Sequence, residues 1–114
     1  MTIALVDARN VLRSCWPNLS ETELVAGCGR WAESERLQAL AVFDGTTAGV
    51  SAHAACAILE TGKASADDWI AALTATMVER GQPYWLVTSD RELRERAGGG
   101  AERTIGGGTL ARLL

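Results

Sequence analysis

The chain has 114 residues, of which 47% are hydrophobic and 22% charged, enough to bury one core and too few for two. Its formal charge is −3, from 11 basic and 14 acidic residues. That balance excludes a strongly basic nucleic-acid module, and the composition excludes a disordered chain.

In chain order, the first element is residues 2–6, Thr-Ile-Ala-Leu-Val, an apolar run that ends at Asp7 and reads as a buried strand. No basic region precedes it, so it does not read as a signal peptide. Ser20-Glu21-Thr22-Glu23 has the capping-box form, with an acid three residues after a serine. Leu24, Cys28 and Trp31 follow at helical spacing, and Gly27 and Gly29 weaken that helix without excluding it. Residues 38–43 form a second apolar run, ending at Asp44-Gly45. Residues 55–59 read as a further short strand. Ser65-Ala66-Asp67-Asp68 opens a second helix, with Trp69, Ile70, Leu73, Met77 and Val78 as its apolar stripe and Gly81 and Pro83 at its end. Residues 84–88 are the next strand. Ser89-Asp90-Arg91-Glu92 reads as a third capping box, opening a helix that runs to Gly98–Gly100. A weak strand at 102–105 and a short helix from about Thr109 close the chain, with both glycine triplets read as turns.

Strands alternating with helices predict one α/β domain over residues 1–114, with a mostly parallel sheet covered on both faces. The apolar runs are too short to span a bilayer. Cys15, Cys28 and Cys56 are odd in number and form no CxxC pair. They read as buried, reduced thiols, which places the protein in the cytoplasm.

The aspartates carry the functional signal. There are five, Asp7, Asp44, Asp67, Asp68 and Asp90, against nine scattered glutamates. Asp7 and Asp44 end strands, Asp90 follows one by two residues, and Asp67 and Asp68 open a helix. All five can therefore converge on the carboxyl edge of a parallel sheet, where ligands bind in such folds. Clustered carboxylates repel, and a hard divalent cation, Mg²⁺ or Mn²⁺, is what all-oxygen ligands hold best. Such ions usually face a phosphate. Asp67, Asp68 and Asp90 also suit the first turn of a helix. Asp44-Gly45 also suits a plain turn. Asp7 has no such alternative, because a carboxylate ending a buried strand is costly without a partner.

Four short stretches resemble the motifs of NYN-domain nucleases, in particular the bacterial YacP-like group within the PIN-like superfamily. They are Val6-Asp7-Ala8-Arg9-Asn10-Val11, Val42-Phe43-Asp44-Gly45, Ala66-Asp67-Asp68-Trp69-Ile70 and Val87-Thr88-Ser89-Asp90-Arg91. The resemblance implies a PIN-like three-layer α/β/α sandwich and metal-dependent hydrolysis of RNA. It implies Asp7, Asp44, Asp67, Asp68 and Asp90 as the acidic site. It implies Asp7, Asp67, Asp68 and Asp90 as ligands of a two-metal site, with Asn10 beside the first acid as a further catalytic residue that orients it or contacts substrate. Thr88 and Ser89 would support the last one. Two departures stand out: Ala8 replaces the usual glycine and Arg9 the usual aromatic residue. They motivate a second reading, a catalytically impaired RNA- or ribosome-associated adaptor with the same fold. A receiver-type phospho-acceptor domain ranks below both, because the only lysine, Lys63, is not where that fold needs one.

Around this edge, Arg9, Arg13, Ser89 and Arg91 are the candidate contacts to RNA phosphates, with Arg94, Arg96 and Arg103 near them in the chain. Arg91–Glu95 and Glu92–Arg96 also have the spacing of helical ion pairs. Trp16 is a candidate base-stacking residue, Trp85 reads as core, and His53 reads as a surface residue. The expected partner is single-stranded or loop RNA, with the ribosome as a further partner. No membrane is involved, and the oligomeric state is open, a homodimer included.

Overall fold

The structure, a computed structural model, describes residues 1–14, 19–46 and 50–114. Cys15 and Trp16 lie outside the described residues. Five strands form the sheet: β1 (Ile3–Asp7), β2 (Gln38–Phe43), β3 (Cys56–Glu60), β4 (Tyr84–Val87) and β5 (Arg103–Ile105). Five helices connect or cover them: α1 (Ala8–Arg13), α2 (Glu21–Glu35), α3 (Ala66–Arg80), α4 (Arg91–Ala97) and α5 (Gly107–Ala111).

Every strand pairing is parallel, in the order β3-β2-β1-β4-β5. β1 is central, and Ala4, Leu5 and Val6 have no exposed surface. Side chains alternate between faces along a strand. Ala4 and Val6 join the core formed with α1, α2 and α5, and Leu5 joins the one formed with α3 and α4. Burial on both faces is why these strands are apolar without a polar alternation. The result is the α/β architecture expected, helices covering a parallel sheet on both sides.

The chain winds outward from β1 through β2 to β3, then returns to the other side of β1 with β4. This reversal makes the carboxyl ends of β1 and β4 the topological switch point of the sheet. In an open α/β sheet that is where ligands bind. The register sets Asp7 beside Val42, and Val6 beside Val87, so β1, β2 and β4 end at one edge.

Local sequence explains most boundaries. Ser20 and Glu23 make the reciprocal capping box, with bonds of 3.0 and 3.1 Å. α3 starts with the Ser65 hydroxyl accepting from the Asp68 N–H at 3.0 Å and ends at Gly81, whose φ of +69° suits glycine. The edge strand expected near 55–59 is β3.

Five expectations change. α1, not anticipated, begins directly after Asp7. α4 is capped by Asp90, not Ser89, because the Ser89 hydroxyl is committed elsewhere. Gly107 and Gly108 are the first turn of α5, not a turn between elements, and Gly106 is its cap. His53 is half-buried against α2: a Cβ on Gly29 would lie 2.0 Å from its Nδ1, so the glycine makes room for the ring. The stripe of α3 is also narrower than expected, since Trp69 and Val78 are 41% and 58% exposed. Cys28 and Cys56 are free, buried and hydrogen-bonded to each other across α2 and β3. That bond and burial push the Cys28 thiol up. Among the described residues no helix is long and apolar enough to cross a membrane.

Candidate functional site

Asp7 ends the central strand and is only 5% exposed. Burial pushes its carboxyl up to about 6, against the favourable hydrogen bond from Thr88. The carboxylates of Asp67 and Asp44 push it further in the same direction, and the Arg13 guanidinium opposes them. The Thr88 hydroxyl donates to Asp7 Oδ2 at 3.0 Å. The Thr88 hydroxyl oxygen in turn accepts from the Asp90 N–H at 3.1 Å. One buried side chain thus fixes both the first and the last acid of the edge.

The other acids are placed by helix starts. Asp44, just past β2, accepts from the Ala66 N–H and ties the end of β2 to the first turn of α3. Asp67 follows in that turn, and burial, then Asp90 and Asp44, push its carboxyl up. Asp90 accepts from the Leu93 N–H at 3.2 Å, capping α4. The charges that raise Asp7 and Asp67 are those of their neighbours Asp67, Asp44 and Asp90, so Asp7, Asp44, Asp67 and Asp90 share one edge. Asp68 stands apart from it. One residue along a helix is a rotation of about 100°, and Asp68 is exposed and paired with Arg96 at 2.9 Å. That hydrogen bond holds its carboxyl below the usual range. Arg96 therefore turns to α3 and not to Glu92.

Residues read as substrate contacts prove to be partly scaffold. Asn10 Oδ1 accepts from the Ser89 N–H at 2.8 Å, and the Ser89 hydroxyl accepts from the Gly107 N–H at 2.8 Å. Together they lock α1, the β4–α4 turn and α5. Arg9 pairs with Glu21 at 2.7 Å and lies 5.3 Å over the Phe43 ring. Arg13 and Arg91 are exposed. Arg94, read only as part of a basic cluster, donates from Nε to the Thr88 carbonyl at 2.8 Å and buttresses the end of β4. Trp85 packs on Trp31 at 6.1 Å between ring centroids and carries Arg103 at 4.7 Å on its ring, in keeping with a core role.

Gly107 is required by this lock. A Cβ there would lie 2.3 Å from Asn10 Oδ1 and 3.1 Å from the Ser14 hydroxyl. Gly107→Ala is expected to dislodge Asn10, orphan the Ser89 N–H and cost about 1–3 kcal/mol. A urea unfolding curve checks this, and an unchanged midpoint would show that the lock is dispensable.

The donor chemistry at the edge is carboxylate oxygen, which suits a hard divalent cation. Among the described residues no three His, Cys, Asp or Glu side chains are arranged to hold a metal ion. The set therefore fits Mg²⁺-type binding, through one or two carboxylates with water and a substrate phosphate completing the shell. It does not fit a closed protein cage.

No protein-family model matches the chain, and no curated protein matches it. Solved structures do. Rae1 (YacP) from Bacillus subtilis superposes with a TM-score of 0.75 at 19% identity, covering 98% of this chain and 72% of that one. A single-substitution variant of the same protein gives 0.70 at 20% identity, covering 98% and 74%. The chain thus has the YacP-like fold implied by its four motifs, with Asp7, Asp44, Asp67 and Asp90 of those motifs near the point where its strand order reverses.

Proposed function

We propose that the chain is a metal-dependent ribonuclease that hydrolyses phosphodiester bonds in single-stranded or loop RNA. The observation that carries this reading is the convergence of Asp7, Asp44, Asp67 and Asp90 at the switch point, with Asp7 buried and its carboxyl pushed up to about 6. Burying one carboxylate among others is unfavourable on its own, and strongly perturbed acids gather at functional sites. The YacP-like motifs and the shared fold support the same reading.

Asp7, Asp67 and Asp90 are the residues assigned to Mg²⁺ or Mn²⁺, one or two of them directly and the rest through bound water, and Asp44 adds negative charge beside them. Held there, such an ion would supply positive charge for a phosphate oxygen and would lower the pKa of a bound water. Thr88 holds Asp7 in place and keeps it ionisable. Asn10 and Ser89 keep the two sides of the switch point in register. Arg13 and Arg91 are exposed on its flanks, where a guanidinium meets phosphate well. Asp68, paired with Arg96, is left outside the metal set. Setting the five aspartates aside turns the net charge of −3 slightly positive. Overall acidity is thus no argument against RNA, and weak binding is expected.

The test is a fluorescent single-stranded RNA incubated with the pure chain and Mn²⁺, Mg²⁺ or EDTA. Internal cleavage with either metal and none in EDTA is expected. Binding without cleavage in every metal would overturn hydrolysis and leave the adaptor reading in its place.

A further inference from the structure

α1 leaves the carboxylate edge directly after Asp7, and its outward side carries Arg9, Leu12 and Arg13. Opposite lie Leu19 and Glu21 at the start of α2, and Val50 adds a further wall. Together with Ser20 and Thr22 they line an open cleft of about 950 Å³, large enough for a nucleotide. It adjoins the proposed active site on two counts. Arg13 acts electrostatically on Asp7, and Arg9 Nη2 donates to the Asp44 carbonyl at 3.5 Å.

The walls pair an apolar side with polar groups, Ser20, Thr22 and Glu21, which suits the face and the edge of a base. Leu12, Leu19 and Val50 are apolar. The Arg9 guanidinium is held by Glu21 at 2.7 Å and by the Phe43 ring at 5.3 Å, so its plane is fixed in advance. Unstacked RNA bases pack on aromatic rings and on arginine planes, and are read through their hydrogen-bonding edges. The carboxylate of Glu21 spends Oε1 on Arg9, which leaves acceptor capacity at Oε2. A carboxylate accepts from an exocyclic amino group, which cytosine, adenine and guanine carry and uracil lacks.

We propose that this cleft is a subsite for one unstacked, amino-bearing nucleobase beside the scissile phosphate, with Arg13 on the adjoining phosphate. The proposal rests on the ribonuclease reading for its place in the reaction. It adds a base preference that the acidic edge alone does not supply.

The test is a methyl and amide NMR titration of the whole chain in EDTA, with nucleoside 5′-monophosphates and with ribose 5-phosphate. Cytidine and adenosine monophosphates are expected to shift the Leu12, Leu19 and Val50 methyls. Uridine monophosphate is expected to bind about tenfold more weakly, and ribose 5-phosphate not to shift them. Leu12→Trp, which fills the cleft, is expected to abolish the response. Glu21→Gln, which alters no apolar wall, is expected to narrow the gap between cytidine and uridine to less than about threefold. No methyl shift up to about 10 mM ligand overturns the subsite. So does an equal response to ribose 5-phosphate, or a cytidine–uridine gap untouched by Glu21→Gln. Base binding without RNA cleavage in Mn²⁺ overturns the ribonuclease reading and leaves the subsite standing. Asp7-dependent cleavage with no methyl shifts overturns the subsite alone.

Discussion

Asp7→Asn is expected to abolish RNA cleavage, by about a thousandfold or more, equivalent to at least about 4 kcal/mol of transition-state stabilisation. The same substitution is expected to stabilise the metal-free protein at neutral pH. The Asp7 carboxyl rises from 3.8 to about 6 on folding, mainly through burial. The folded state therefore holds this proton more tightly than the unfolded state does. Stability linked to Asp7 is fully present below about pH 4 and is lost as the pH rises through about 6. Above that, the ionised carboxylate costs on the order of 3 kcal/mol. Asparagine is neutral at every pH and nearly isosteric, and its carbonyl oxygen still accepts from Thr88. Urea unfolding in EDTA should thus show the variant more stable at pH 7, with the advantage gone near pH 4. A variant that is less stable at pH 7 would make Asp7 a structural residue. A variant that cleaves RNA normally would remove it from the metal site.

This pairing of lost activity with gained stability separates a functional acid from a structural one. Asp44 and Asp90 differ from Asp7 in that respect. Each accepts a backbone N–H that a helix start leaves unpaired, Ala66 and Leu93 respectively. They stabilise the fold while they add charge to the edge.

The sequence made β1, β2 and β4 legible because each is largely an apolar run stopped by an acid or a turn. Residues 38–43 coincide with β2, and β1 and β4 are each displaced by no more than a residue. α1 was not legible. It has six residues, too few for a periodic pattern, and Asp7 precedes it without making a side-chain cap. The convergence of aspartates followed from strand ends in a parallel sheet, which needs only topology. Telling Asp67 from Asp68 needs the rotation of α3, and neighbouring identical residues carry no such information. Ser89 and Asp90 are both good caps in sequence. The choice is made by Gly107, far along the chain, whose N–H takes the Ser89 hydroxyl. His53 read as exposed because its partner is an empty space, the missing side chain of Gly29.

Thr88 is the residue whose importance the sequence understated, and Thr88→Val tests it with almost no change in shape. Thr88 has no exposed surface, so its hydroxyl is not exchanged for water when removed. Two groups lose their partner at once: the Asp7 carboxylate loses a donor and the Asp90 N–H an acceptor. The expected cost is about 2–3 kcal/mol at pH 7. Its pH dependence identifies the cause. The Thr88 hydrogen bond is what most strongly favours the ionised form of Asp7, so its loss moves the Asp7 carboxyl still further above 6. The destabilisation is then largest above pH 7. It shrinks at pH 5, where Asp7 is mostly protonated in the folded state with or without Thr88. Thermal unfolding of the two proteins at both pH values measures this difference. Carboxyl-carbon NMR of Asp7 reads the shift directly. The acid limb of the cleavage profile should move to higher pH with it, and Thr88→Ser should restore both. A loss of stability that is equal at pH 5 and pH 7.5, with the Asp7 titration unmoved, would make Thr88 a packing residue only. In that case the link between Asp7 and Asp90 would have to be carried by the backbone alone.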